Sequence, residues 1–170
     1  MVIINIIVIL ILLGIIYLLG RPIMRGAIYF PTSYTQVDIM VRVASLKRGD
    51  RVADLGSGDG RLLIACAKQG IRAEGYEINP ILVFLSRRRI RQAGVKNLAT
   101  VHWRSFWRAD LASYDVVFVY GIPYIMDSLR RKLERELRSG ARVISNAFSF
   151  PGWTPVVTEG KIRLYDIKPQ

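Results

Sequence analysis

The sequence predicts an α/β fold, a doubly wound and mostly parallel sheet, preceded by one N-terminal transmembrane helix. Three observations carry this. Short apolar strands alternate with helical segments from Arg51 onward, the stretch DLGSGDGR (Asp54 to Arg61) sets a glycine at every second position between a strand and a helix, and Val2 to Leu19 holds no charge.

The N-terminal run VIINIIVILILLGIIYLL is interrupted only by Asn5 and Gly14. About 20 apolar residues at 1.5 Å rise match a hydrocarbon core of roughly 30 Å, so the run is expected to anchor the chain in a lipid bilayer through residues 2–19. A cleaved signal peptide needs a basic start and a small-residue cleavage site, and MVIIN and GRPIMRG supply neither. Arg21 and Arg25 follow the span, which predicts a single-pass membrane protein with its domain on the cytoplasmic or matrix side.

Each later element has its own signal. PTSYTQVDIMVRVASL predicts a helix capped near Thr32 or Ser33, with Val37, Val41 and Ala44 at helical spacing. RVADL is a first strand, and RLLIACAKQG a helix stopped by Gly70. IRAEGYEI is a second strand, followed by PILVFLSRRRIRQAG, a helix begun at Pro80 and closed by Gly94. LATVHW and DVVFVYGI are strands three and four, MDSLRRKLERELRSG a helix ended by Gly140, and ARVISNAFSF a fifth strand. Strands alternating with helices imply crossover connections and a parallel sheet covered on both faces. At 170 residues the chain accommodates one domain and an appendage: an anchor at 1–20, a linker and helix covering a ligand at 21–48, and a core at 49–170.

The net charge of +12 favours anionic partners, either nucleic acid or phospholipid headgroups. The expected anchor disfavours nucleic acid. Arg87, Arg88, Arg89 and Arg91 have no acidic neighbours in sequence, so they touch lipid headgroups, RNA or solvent. In the last helix Met126, Leu129, Leu133 and Leu137 form a buried stripe, and Asp127 with Arg131, Arg130 with Glu134 and Lys132 with Glu136 pair on a solvated face. The single cysteine, Cys66, forms no internal disulfide and reads as a buried small residue. No Cys/His cluster points to a metal, and the single histidine, His102, reads as a packed strand residue.

In such sheets a ligand lies outside the carboxyl ends of the strands, and the first strand-to-helix turn is its usual cradle. A dinucleotide fingerprint needs glycine where Arg61 stands, Asp59 sets a carboxylate where a pyrophosphate would rest, and no G-K-[ST] follows for a P-loop. S-adenosylmethionine carries no phosphate and is cationic at its sulfonium, so it tolerates flanking carboxylates. Glu77, ending the second strand, suits its ribose hydroxyls, and Ile78 offers an apolar contact to adenine.

With VADLGSGDG and GYEINP on the page, the chain resembles the class I methyltransferases, a Rossmann-like family. YFPTS, VYGIP, KLERELRSGARVIS and FPGWTP narrow the likeness to the membrane-anchored protein lysine methyltransferases that modify the adenine nucleotide translocase and the ATP synthase c-subunit, over about residues 21–155. The resemblance implies S-adenosylmethionine as cofactor and a lysine-bearing membrane protein as substrate. It places Asp54, Gly56, Ser57, Gly58, Glu77, Ile78 and Asn79 on the cofactor motifs, and Tyr29, Phe30, Pro31 and Thr32 on a segment that folds over the methionine end. Ser105, beside Phe106, stands where the family usually presents an acidic residue to the adenine amino group.

The fourth strand ends in VYGIPY, whereas amide and exocyclic-base methyltransferases typically show Asp or Asn before two prolines there. An aliphatic amine needs only to lose its proton. With an ordinary pKa near 10.4, a lysine is neutral roughly once in two thousand molecules at pH 7, about 4.6 kcal/mol, and an apolar pocket recovers part of this. Tyr120, Tyr124 and Trp153, with Phe148, are the candidates for that catalytic lining, and Tyr120 also for cofactor contact. An RNA methyltransferase or RNA-binding module and a lipid-amine methyltransferase are the alternatives.

Overall fold

The computed structural model describes residues 2–24, 31–121 and 123–168. Contacts divide the chain into two units, residues 1–30 and 31–170. In the first, α1 (Val2–Met24) is helical, and its described side chains, residues 3–14 and Tyr17, are exposed. Among the described residues no helix is long and apolar enough to cross a membrane. This overturns the expected single-pass membrane localisation, and the expected transmembrane helix and bilayer contact through residues 2–19 find no support among the described residues. Arg25, used in the topology argument, lies outside the described residues.

The second unit is a seven-stranded sheet flanked by helices. β1 (Arg51–Leu55), β2 (Arg72–Glu77), β3 (Ala99–Trp103), β4 (Val116–Val119) and β5 (Arg142–Asn146) are parallel, as expected from the strand–helix alternation. Two further strands were not predicted: β6 (Val157–Glu159) and β7 (Ile162–Asp166), paired antiparallel to each other, with β7 antiparallel to β5. Gly160, at φ 58°, holds the first position of their two-residue turn, where a type II′ hairpin calls for glycine. The strand order is β3-β2-β1-β4-β5-β7-β6. The chain winds outward from β1 to β3, then returns to β4 on the other side of β1, so the order reverses between β1 and β4.

Two apolar layers cover the sheet. On one face α2 (Tyr34–Val43), α3 (Arg61–Lys68) and α4 (Pro80–Gln92) bury Val37, Leu63, Cys66 and Val83 against Val52, Phe118 and Ile144. On the other, α5 (Pro123–Glu136) buries Met126, Leu129 and Leu133 against Ala53, Leu55, Val117 and Val119. Ser33 caps α2 in a reciprocal box with Gln36, and Val37, Val41 and Ala44 are buried as their spacing required. The last helix starts at Pro123 rather than Met126, since proline is preorganised for the first helical turn. Its three expected ion pairs form, but Lys132 is buried, not solvated, and its Nζ also donates to the Ala109 carbonyl at 2.7 Å.

Candidate functional site

In a doubly wound sheet the reversal between β1 and β4 marks the place for a ligand at the carboxyl ends of the strands, and the glycine loop stands there, directly after β1. After Leu55 the chain turns through Gly56 at φ 90°, Gly58 at φ 54° and Gly60 at φ 80°, a left-handed series that side chains resist. The N–H groups of Gly56 and Ser57 both donate to the Tyr76 carbonyl, at 2.9 and 3.1 Å, and tie the loop to the end of β2. A Cβ on Gly56 would meet no atom within 4 Å, so this backbone faces open space, as a ligand cradle requires. Gly60 is different: its missing Cβ lets Ser86 of α4 approach, with the Ser86 Oγ only 2.2 Å from where that Cβ would stand.

Glu77 is buried at the end of β2. Its Oε2 accepts from the Gly58 N–H at 3.0 Å and its Oε1 from Ile78 and Asn79 N–H at 2.8 Å each. A carboxylate has about four lone-pair sites, so three are already engaged. Glu77 therefore shapes the loop as well as offering an acceptor, a double role invisible in the spacing. Asn79, expected at the cofactor, spends its side chain capping α4 through the Ile81 N–H at 3.0 Å. Ile78 is half-buried, and its carbonyl accepts from Trp103 Nε1 at 3.1 Å, which brings the ends of β2 and β3 together. Ser105 and Phe106 follow β3, half-buried, with Ser105 opening a 3₁₀ turn at Phe106–Arg108.

Asp54, one residue before the end of β1, is buried among acids. Burial first, then repulsion from Glu77 and from Asp59, pushes its carboxyl up to about 7. Asp59 does not act as the free flanking charge expected of it. Its Oδ2 pairs with Arg61 at 2.6 Å and with Arg89 from α4, so two guanidinium groups neutralise it. Arg89 thus leaves the expected unpaired basic cluster. Arg61 also donates to the Thr32 carbonyl at 2.5 Å and stacks 4.8 Å from the Tyr34 ring centre, which fastens the Pro31–Ser33 segment to the glycine loop. Tyr29 and Phe30 lie outside the described residues.

Ser57 is buried with its Oγ lacking a partner among the described residues. It fits because Gly75 in β2 has no Cβ; one built there would stand 2.5 Å from Ser57 Oγ and 2.7 Å from Leu63 Cδ1. Sequence reasoning passed over Gly75, although a glycine inside a strand marks close approach.

The aromatic candidates separate. Tyr120 follows β4, partly exposed, and Tyr124 is exposed on the first turn of α5. Trp153 packs on the α5 side, tilted against Phe150 at 4.8 Å and Tyr165 at 5.5 Å, with its Nε1 donating to Glu134 at 2.8 Å. Gly121 carries no side chain, and a Cβ there would meet Met126 Sδ at 2.3 Å, so Met126 would have to shift to admit one. His102 packs as expected, stacked on Tyr76 and bonded to Glu74 at 3.0 Å.

One residue not singled out from the sequence ends β5. Asn146 is 1 % exposed, and neither its Oδ1 nor its Nδ2 has a hydrogen-bond partner among the described residues. Each buried unsatisfied polar group costs about 1–3 kcal/mol. The next residue, Ala147, sits at φ 70°, and the Phe148 N–H reaches back across it to the Asn146 carbonyl at 3.0 Å, the arrangement of the rarer, strained γ-turn.

These groups fit S-adenosylmethionine: an open glycine backbone, an acceptor on Glu77 and a raised carboxyl on Asp54, with the loop's two neighbouring guanidinium groups, Arg61 and Arg89, paired to Asp59. Comparison with known proteins agrees. The ANTKMT methyltransferase domain family matches residues 54–157. The lysine N-methyltransferase of the ATP synthase c-subunit from Mus musculus is 41% identical over 91% of this chain and 66% of its own length, so the chain spans just under two thirds of that relative. A protein-lysine N-methyltransferase from Saccharolobus islandicus is 35% identical over 75% of this chain and 80% of its own. A crystal structure of an RNA methyltransferase from Salinibacter ruber, in complex with S-adenosyl-L-homocysteine, is 34% identical with a TM-score of 0.78, covering 83% of this chain and 95% of that one.

Proposed function

The chain belongs to the ANTKMT methyltransferase domain family, and from that premise we propose that it is an S-adenosylmethionine-dependent protein-lysine N-methyltransferase. The observation that carries the choice of acceptor is Gly121. Methylation of an amide or a base amino group calls for a side-chain acceptor at the end of β4, and here Gly121 presents none, with Met126 Sδ standing 2.3 Å from where its Cβ would be. A lysine amine asks for no such group. The names of the mouse and archaeal relatives support the same acceptor.

S-adenosylmethionine, when bound, would supply a methyl group on a sulfonium: the neutral amine's lone pair would form the new carbon–nitrogen bond as the carbon–sulfur pair leaves on sulfur, giving a methylammonium that releases a proton to solvent. The chain's own residues hold and screen. Gly56 and Gly58 offer bare backbone, Glu77 keeps the loop closed on β2 and presents its remaining acceptor to the ribose, and Ile78 with Phe106 flanks the adenine. Asp54, ionised above about 7, faces the cationic end. Pro31 and Thr32, fastened through Arg61, cover the loop from the α2 side. Tyr120 and Tyr124 line the approach, where an apolar surround favours the neutral amine. Trp153, bonded to Glu134, packs on α5, the helix that carries Tyr124.

A second reading has one observation in its favour: the Salinibacter ruber structure is described as an RNA methyltransferase. The test treats both. The purified chain is incubated with methyl-labelled S-adenosylmethionine and either the ATP synthase c-subunit or total RNA, and the products are digested and identified by mass spectrometry. Methyl-lysine is expected; label confined to nucleosides would replace this reading with the second.

A further inference from the structure

We propose that Asn146 receives the acceptor amine, its Oδ1 accepting a hydrogen bond from the lysine Nζ; this deepens the lysine reading above and rests on it. Three observations converge. First, the carboxamide is buried with both polar atoms unpartnered among the described residues, so the folded chain keeps a complete hydrogen-bonding group in reserve. Second, Ala147 holds a left-handed φ that alanine disfavours, and its N–H is pinned to the Lys161 carbonyl at 2.9 Å while Ser145 Oγ donates to the Phe148 carbonyl at 2.6 Å. The end of β5 is therefore fixed in a strained shape, and strain of this kind gathers at sites that act on a ligand.

Third is the placement. β4 and β5 are paired up to Val119 and Ser145, so Tyr120 and Asn146 stand side by side at the next position. Strand alternation sets Asn146 on the face of Ile144, which is also the face of Asp54 and of α2. The glycine loop and Glu77 claim β1 and β2 for the cofactor. Two strand spacings of about 4.8 Å put Asn146 about 10 Å from β1, across β4, on the side left for the acceptor. A group so deep is met by a slender chain, and lysine carries its amine on a flexible four-carbon stem.

The neutrality of the carboxamide matters. A carboxylate here would strongly stabilise the ammonium and withhold the lone pair, whereas the neutral carboxamide of Asn146 orients the amine while raising its pKa far less. Two variants test this on the full chain: Asn146→Leu, which keeps the shape and removes the acceptor, and Asn146→Asp, which adds a charge. Both are measured for S-adenosylmethionine binding by calorimetry, for thermal unfolding, and for rates of lysine methylation on the ATP synthase c-subunit from pH 6 to 10. Asn146→Leu is expected to bind cofactor within twofold of the parent, to melt no lower, and to lose at least tenfold in kcat/KM. Asn146→Asp is expected to move the rise of the pH–rate profile to higher pH, which a merely structural residue would not do. Parent-like methylation by Asn146→Leu, or an unshifted profile for Asn146→Asp, overturns the proposal. A parent chain that binds cofactor and labels no lysine overturns the reading beneath it, and the proposal falls with it.

Discussion

Replacing Asp54 by asparagine separates stability from function at the centre of the site. The folded carboxyl titrates near 7 against an ordinary value of 3.8, owing first to burial, then to Glu77 and Asp59. A raised acid pKa means that the folded chain retains a proton that the unfolded chain has released, so its stability falls as pH climbs between those two values and levels off above. About three pKa units at 1.36 kcal/mol each make this cost about 4 kcal/mol above pH 7, as an order of magnitude. Asp54→Asn keeps the shape and removes the charge. At pH 8 the variant should be more stable than the parent by up to that amount, with the difference shrinking towards pH 4. Urea unfolding of both proteins at a series of pH values isolates this residue and the two acids coupled to it, Glu77 and Asp59, because titrations elsewhere cancel in the difference. Cofactor binding should move the opposite way: parent affinity rises with pH to about 7, while the variant binds at least tenfold more weakly at pH 8 and without that slope. A variant less stable than the parent at pH 8, or a stability difference that does not change with pH, would refute the assignment of a strained, ionisable carboxyl at this position.

Glu77→Ala removes the acceptor for three loop N–H groups as well as the ribose contact, so S-adenosylmethionine affinity should drop at least tenfold; calorimetry showing unchanged affinity would remove Glu77 from the site. Gly75→Ala drives a methyl into Ser57 and Leu63, and should cost about 1–3 kcal/mol in denaturant unfolding together with a clear loss of cofactor affinity. Trp153→Phe loses the bond to Glu134 but keeps most of the aromatic packing; it should lower stability by about 1 kcal/mol and leave the methylation rate within twofold, whereas a large fall in kcat would return Trp153 to the catalytic lining.

The parallel core was legible because buried strands and amphipathic helices write different periods, and glycine and proline punctuate them. The rhythm gave no notice of the β6–β7 hairpin, which follows FPGWTP without an intervening helix; the cue was there in VVTEGKIRLYD, an alternating pattern across a Gly-Lys turn. The glycine loop and Glu77 were legible as a ligand site because their chemistry is local. Pairings distant in sequence were not: Arg89 reaches Asp59 thirty positions away, and neither residue names the other. Asn79 and Trp153 stand out by motif, and the cap and the aromatic stack that their side chains also form are written nowhere in that motif. The apolar N-terminal run was read for its composition, and the described residues of α1 do not sustain a membrane span. Asn146 left no signal at all, since an unpartnered buried amide is a property of the assembled fold.

The most direct test of the account is the competition between its two acceptors in one tube. The purified chain is given methyl-labelled S-adenosylmethionine with equal masses of the ATP synthase c-subunit and total RNA, and the label is located by mass spectrometry after separate protease and nuclease digestion. Methylated lysine in the protein, abolished by Glu77→Ala and absent from the RNA, is the predicted result. Label in the nucleosides with unmodified lysines would contradict it.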